Sequence, residues 1–242
     1  MKTTITFPVE KVQELRQRAE RACQVRRKCP EGWSKSKVNP MKLLFSFPSL
    51  RLKKGLVLRA YQFQAGGNGN GIVWAMPENL SFPDPKACSR LKDRFLKPPR
   101  PLGALDDVME AIEGDGSPWS YLSASVFARE VAEFGAMWHG CSWSTHVILG
   151  KDPWSFPQRS ARRMPLEAPS GDPSDWRWLE SKPLKWRVEV CADSSIVTVT
   201  FYTFSRLVRE AIYRHLDTYK PGRYRFESDE KVIAKGPGGF IF

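Results

Sequence analysis

Apolar residues alternate along residues 2–7, then recur at three- and four-residue steps at Val12, Leu15, Ala19, Ala22 and Cys23. The first pattern predicts a short strand and the second an amphipathic helix. Pro8 suits the opening of that helix, where its missing N–H leaves no bond unmade. Glu14, Gln17, Arg18 and Arg21 take the polar face. Fraying is expected by Val25, and Cys29-Pro30 ends the helix. Residues 30–40 read as a polar loop. Met41–Phe47 and Leu56–Gln64 read as strands, and the run Ala65-Gly66-Gly67-Asn68-Gly69-Asn70-Gly71 joins the second to Ile72–Met76. That pattern predicts a hairpin with a long glycine loop and a flexible tip.

Residues 77–102 hold six prolines around a short helix at Lys86–Leu96. Leu105, Val108, Met109 and Ile112 mark another short amphipathic helix, ended by Gly114. The strongest helix follows, with Ser117 as its cap and Pro118 in its first turn. Its apolar stripe runs through Ala124, Phe127, Val131, Phe134 and Trp138 to a stop at Gly140, which leaves Glu130 and Glu133 on the solvated side. Residues 150–183 read as an extended loop. Leu184–Val190 and Ile196–Phe204 form a hairpin around a turn at Ala192–Ser194. Leu207, Ala211, Ile212 and Leu216 mark a helix, and Tyr224–Phe226, Lys231–Ala234 and Phe240–Phe242 are short strands.

Hairpins and helices without regular β-α alternation predict an α+β fold, antiparallel hairpins packed with a few amphipathic helices. The expected organisation is a basic α+β region with a central helix over 1–150, a Pro/Trp/Arg-rich loop or linker over 151–183, and a smaller hairpin and helix region over 184–242. One continuous domain is the alternative. A hydrophobic content of 41% over 242 residues supports a sizeable core. No apolar run approaches the ~20 residues of a membrane-spanning helix, and residues 1–7 hold no apolar stretch of secretion-signal length. A cytoplasmic location without a membrane partner is the expectation. Five scattered cysteines (Cys23, Cys29, Cys88, Cys141, Cys191) suit reduced thiols better than a disulfide framework.

Charge changes the picture most. Fifteen of the 38 basic residues and only four acidic ones fall in the first sixty positions, so this quarter carries +11 of the net +12. Cations so concentrated point to a polyanion, with nucleic acid the expected partner. Arg16, Arg18, Arg21, Arg26, Arg27, Lys28, Lys35 and Lys37 form one cluster. Arg51, Lys53, Lys54 and Arg59 form a second beside the glycine hairpin, with Trp33 and Tyr61 available to stack on bases. Mixed cations and aromatics, with no evident recognition helix, favour RNA or single-stranded DNA over duplex. Lys2-Thr3-Thr4-Ile5-Thr6-Phe7-Pro8 and the helix after it resemble the strand and first helix of ribbon-helix-helix DNA-binding proteins. The likeness covers about the first 25 residues. That family needs a second helix soon after, where Pro30, Gly32 and Pro40 stand here, so no contact residue is carried over.

Other constellations define the alternatives. His139, Cys141 and His146 lie within eight positions, and a thiol beside an imidazole can act as a nucleophile. This keeps open a Cys/His-dependent hydrolase or nuclease, although a segment packed in the core explains the same residues and no catalytic residue is assigned. His139-x-Cys141-x₄-His146 and Cys23-x₅-Cys29 do not form a tetrahedral set, so no metal is expected. Gly67-x-Gly69-x-Gly71 precedes a strand rather than a helix, which excludes a phosphate loop. No cofactor is implied. Trp154, Arg159, Arg162, Arg163, Trp176 and Trp178 are residue types that dominate protein interfaces. They suggest a protein partner, and with it an adaptor or assembly factor, or else a loop whose tryptophans fill its own core. The leading reading is a non-catalytic nucleic-acid-binding protein, a component of a larger assembly.

Overall fold

The computed structural model describes residues 2–23, 30–88, 98–155 and 169–241. In chain order the elements are β1 (Thr3–Phe7), α1 (Val9–Cys23), β2 (Gly32–Lys35), α2 (Met41–Phe45), β3 (Leu50–Leu52), β4 (Leu56–Ala65) and β5 (Asn68–Pro77). They continue with α3 (Pro85–Cys88), β6 (Ile112–Gly114), α4 (Pro118–Ala132), β7 (Val147–Leu149) and β8 (Arg177–Trp178). The last are β9 (Val188–Ala192), β10 (Val197–Ser205), β11 (Ala211–Tyr219) and β12 (Phe226–Lys235). Every ladder between named strands is antiparallel, and the fold is α+β. No helix among the described residues is long and apolar enough to cross a membrane.

Contacts divide the chain into two units, each built from separated stretches rather than from consecutive regions. The first comprises Met1–Glu14, Ser144–Pro221 and Phe226–Phe242; the second comprises Leu15–Trp143 and Gly222–Arg225.

The first unit is a seven-stranded sheet in the order β1-β9-β10-β11-β12-β8, with β7 also on β10. One face carries Phe204, Ile212 and Ala234, packed with Leu149, Trp176, Trp186 and Ile233, and with Trp154, Trp178 and Tyr202 around them. The tryptophans of the 151–183 stretch therefore belong to a core. Residues 211–219 form β11 where a helix was expected. Ile212 and Leu216 have helical spacing, but the fully buried side chains of this strand include His215, Asp217 and Tyr219, which alternate. Polar residues at inward positions disguised the period of two. Of the three short strands expected after residue 223, the first two merge into one long strand, β12, and in the third only Phe240 forms a bridge, to Leu207, among the described residues.

The opposite face buries a polar chain. Thr203 stands between two imidazoles, 2.8 Å from His146 Nδ1 and 2.8 Å from His215 Nε2. His215 Nδ1 is 3.0 Å from a Glu230 carboxylate oxygen, and its ring stacks on Phe201. One arrangement satisfies these bonds with both rings neutral. His146 donates to Thr203, Thr203 donates to His215, and His215 donates to Glu230.

In the second unit β2-β4-β5 form a three-stranded sheet and β3 pairs β6. Gly32–Lys35, expected in a loop, is strand β2. The glycine run is not a long loop. Ala65 and Asn68 are paired, so the turn is Gly66-Gly67, both at positive φ as a tight two-residue hairpin turn requires. Gly69 and Gly71 are strand residues, so the expected flexible tip is not there. A Cβ on Gly71 would come within 2.3 Å of the Phe134 carbonyl oxygen.

Helix α4 starts as expected. Ser117 Oγ accepts the Ser120 N–H, and Asp115 accepts the Ser117 N–H. Those bonds to Ser117 hold the Asp115 carboxyl below its ordinary value. The helix ends at Ala132 rather than Gly140, because Gly135 takes positive φ and turns the chain. Residues 120–127 are buried all round, so α4 is a core helix rather than an amphipathic one. Met41–Phe45 is helix α2 rather than a strand. Asn39 Oδ1 accepts the Met41 N–H and Pro40 leads in, a start signal that the apolar run obscured. Residues 105–112 form only a short 3₁₀ turn, Val108–Ala111, before β6.

Thr203→Val keeps the shape of the polar chain and removes its central hydroxyl. Two buried imidazole nitrogens then lose a partner, and the loss should be about 2–3 kcal/mol in urea unfolding. A loss below about 0.5 kcal/mol would show that the chain contributes nothing to stability.

Candidate nucleic-acid interface

Arg16 heads the cations expected on the surface of α1. Its guanidinium instead lies 4.2 Å from the centre of the Trp143 ring, 3.1 Å from Glu130 and 2.9 Å from the Trp143 carbonyl. Trp143 also donates its indole N–H to Glu130. Glu130, expected on a solvated face, is thus a largely buried anion with two partners. Burial raises its carboxyl above the ordinary value, and Arg16 and Trp143 pull it part of the way back. Cys23 is a further consequence. Burial, aided by the Glu130 charge, pushes its thiol up to about 12.

The other cations singled out in the first sixty residues fall into three groups. Arg26, Arg27 and Lys28 lie outside the described residues. Lys35 donates to the Phe82 carbonyl, and Arg51 pairs with Glu113 directly across β3 and β6. Arg18, Arg21, Lys37, Lys53, Lys54 and Arg59 are exposed. Neither aromatic is a free platform. Tyr61 is fully buried, with its hydroxyl on the Pro83 carbonyl and its ring stacked on Phe82, while Trp33 packs on Phe63.

In the second unit, a cleft of about 680 Å³ brings Lys53 together with Arg223 and Arg225. Leu56, Leu105, Met109 and Ile112 supply apolar lining, and Glu110 and Glu113 stand among the cations. Tyr224 fixes the Arg223–Arg225 stretch. Its ring stacks on Tyr121 at 4.9 Å, nearly parallel, and its hydroxyl is 2.6 Å from Ser120 Oγ and accepts the Gly116 N–H. The ring lies where a side chain on residue 114 would begin, which only Gly114 permits.

The two carboxylates are already engaged. Arg225 binds Glu110 at 2.7 Å and Asp107 at 3.2 Å, and Arg51 holds Glu113. Lys53, Lys54 and Arg223 remain exposed, and none forms an ion pair among the described residues. Sequence reasoning missed Arg223, Tyr224 and Arg225. The available signal was Pro221-Gly222 followed by Arg-Tyr-Arg, a turn that presents two cations around one aromatic ring.

The other candidates fall in different units or in the core of the first. His139 and Cys141 belong to the second unit and His146 to the first, where Thr203 occupies its Nδ1. His139 is exposed and Cys141 half-buried. Trp154, Trp176 and Trp178 lie in or against the core of the first unit, and Trp176 is only 5% exposed. Arg159, Arg162 and Arg163 lie outside the described residues.

The Arg16–Glu130 pair yields a pH test. Arg16→Met keeps much of the packing and removes the cation, so the folded-state carboxyl of Glu130 rises further. A group raised in this way holds its proton more tightly folded than unfolded. The variant should therefore lose stability as pH climbs above the unfolded carboxylate value of about 4.3. At neutral pH the deficit should be about 2–3 kcal/mol, reduced from that of a fully buried pair by residual solvent contact. Urea unfolding at about pH 5 and about pH 8 checks this, and equal deficits at both would assign the loss to packing alone. No known protein family, curated protein or solved structure matches this chain.

Proposed function

We propose that this chain binds single-stranded nucleic acid, RNA or DNA, through the cleft lined by Lys53 and Arg223, with Lys54 following Lys53 in the chain. The observation that carries the reading is the charge left over there. Every carboxylate lining the cleft has an arginine partner, while these three cations have none among the described residues. Cations held together on one surface attract phosphates through release of condensed counterions. The apolar lining offers contact to a base, and Glu110 and Glu113 retain lone pairs that can accept from exocyclic amino groups.

The size favours single strands. A volume of about 680 Å³ is that of a pocket for a small organic group, which suits an unstacked nucleotide better than the side of a duplex. Arg225 is engaged by two carboxylates, so phosphate is assigned to Arg223 rather than to Arg225.

Replacing Lys53, Lys54 and Arg223 together by Glu should weaken binding of a labelled single-stranded oligonucleotide by about 100-fold at low salt. The far-ultraviolet dichroism of the chain should not change. Anisotropy titrations over a salt series provide the measurement. Undiminished affinity in a folded triple variant would remove the cleft from the interface.

A further inference from the structure

The sheet of the first unit holds two cross-strand pairs of like charge, and the fold treats them differently. Directly opposed residues of antiparallel strands put their side chains on one face, so two cations so placed repel. Arg214 of β11 faces Lys231 of β12. There the chain supplies carboxylates: Glu180 lies 2.6 Å from Arg214, and Asp229 lies 3.2 Å from Lys231 and 3.9 Å from Arg214. Lys235 of β12 faces Arg177 of β8. Both are exposed, and neither forms an ion pair among the described residues.

A third cation stands beside this pair. Arg209 is exposed and donates from Nε to the carbonyl of Gly236, the residue after Lys235. The neighbouring carboxylate, Glu210, is fully buried and already engaged, with Arg206 at 2.9 Å and the Ser170 hydroxyl at 2.5 Å. It therefore does not neutralise the exposed cations. The backbone fixes the spacing of the three. Gly236 donates to the Glu210 carbonyl, Glu210 donates to the Gly238 carbonyl, and the Trp176 ring occupies the place of a side chain at 236, so only glycine fits there. Arg177 and Lys235 thus share the sheet face opposite Trp178 and Ala234, and Arg209 is tied to the chain just after Lys235.

We infer that Arg177, Lys235 and Arg209 form a second phosphate-binding site, which takes phosphodiester groups of single-stranded nucleic acid. The inference rests on the binding reading above for the identity of its ligand. The repulsion between Arg177 and Lys235 is relieved when an anion sits between them, as the carboxylates relieve it at Arg214 and Lys231.

The test is Arg177→Gln combined with Lys235→Gln in the full chain. Binding of a labelled single-stranded RNA should weaken about tenfold at low salt. The slope of log affinity against log salt should fall by about 1.4, since each phosphate contact on a single strand contributes about 0.7. Without ligand, the variant should melt no lower than the native chain, because a repulsive pair has been removed. Unchanged affinity and slope overturn the site. So does a variant that melts well below the native chain, because the two cations would then hold the fold rather than a ligand. Should the native chain bind no RNA at all, the binding reading fails by itself, and tripolyphosphate then tests the site. A rise in native melting temperature that the double variant lacks sustains an anion site, and an equal response in both overturns it.

Discussion

The candidate cleft depends on one aromatic side chain seated over one glycine. Tyr224 lies flat on Tyr121, and its hydroxyl joins the start of α4 through Ser120 and Gly116. A ring so placed gives up little side-chain freedom and buries a large apolar area, and its polar tip is satisfied at the helix start. Everything the Arg223–Arg225 stretch contributes follows from that seat. Lys53 and Lys54 lie in the turn between β3 and β4, and Arg223 lies in the short connection between β11 and β12 that Tyr224 anchors.

Net charge describes this protein less well than the destination of each charge. Arg16 belongs to the interior, where it makes a buried carboxylate tolerable and offers a face to Trp143. Arg51, Arg206, Arg214 and Arg225 answer acidic residues of their own unit. Lys53, Lys54 and Arg223 are exposed and form no ion pair among the described residues, and these are the cations that the proposed function uses. The same distinction within the other unit separates Arg214 and Lys231 from Arg177 and Lys235.

The sequence made much of the architecture legible, and its failures have physical causes. β1, α1, β4, β10 and the capped start of α4 follow from periodicity and from Ser117-Pro118, because local preference and tertiary packing agree there. The strand at 211–219 was hidden because His215 and Asp217 stand where apolar residues would have announced alternation. The end of α4 was hidden because Phe134 continues the helical spacing after the backbone has already turned at Gly135. The cleft was half legible. Lys53 and Lys54 stood out in a basic run, but their partner Arg223 lies about 170 positions away, and only the chain path brings it near. Nor does composition reveal that Arg16 has a buried acid as its neighbour.

The glycines of the hairpin behave contrary to their reputation. Gly71 lies against the Phe134 carbonyl and Gly140 against the Gly69 carbonyl, each where even a methyl group would collide with main chain. Bare backbone here serves as a mould against which the segment after the long helix, residues 134–140, is pressed. A stretch that looks like a tolerant tether is therefore among the least replaceable parts of the molecule. Affinity tags, insertions or circularly permuted ends introduced at residues 69–71 would have to displace the packed segment after α4 rather than lengthen a loop.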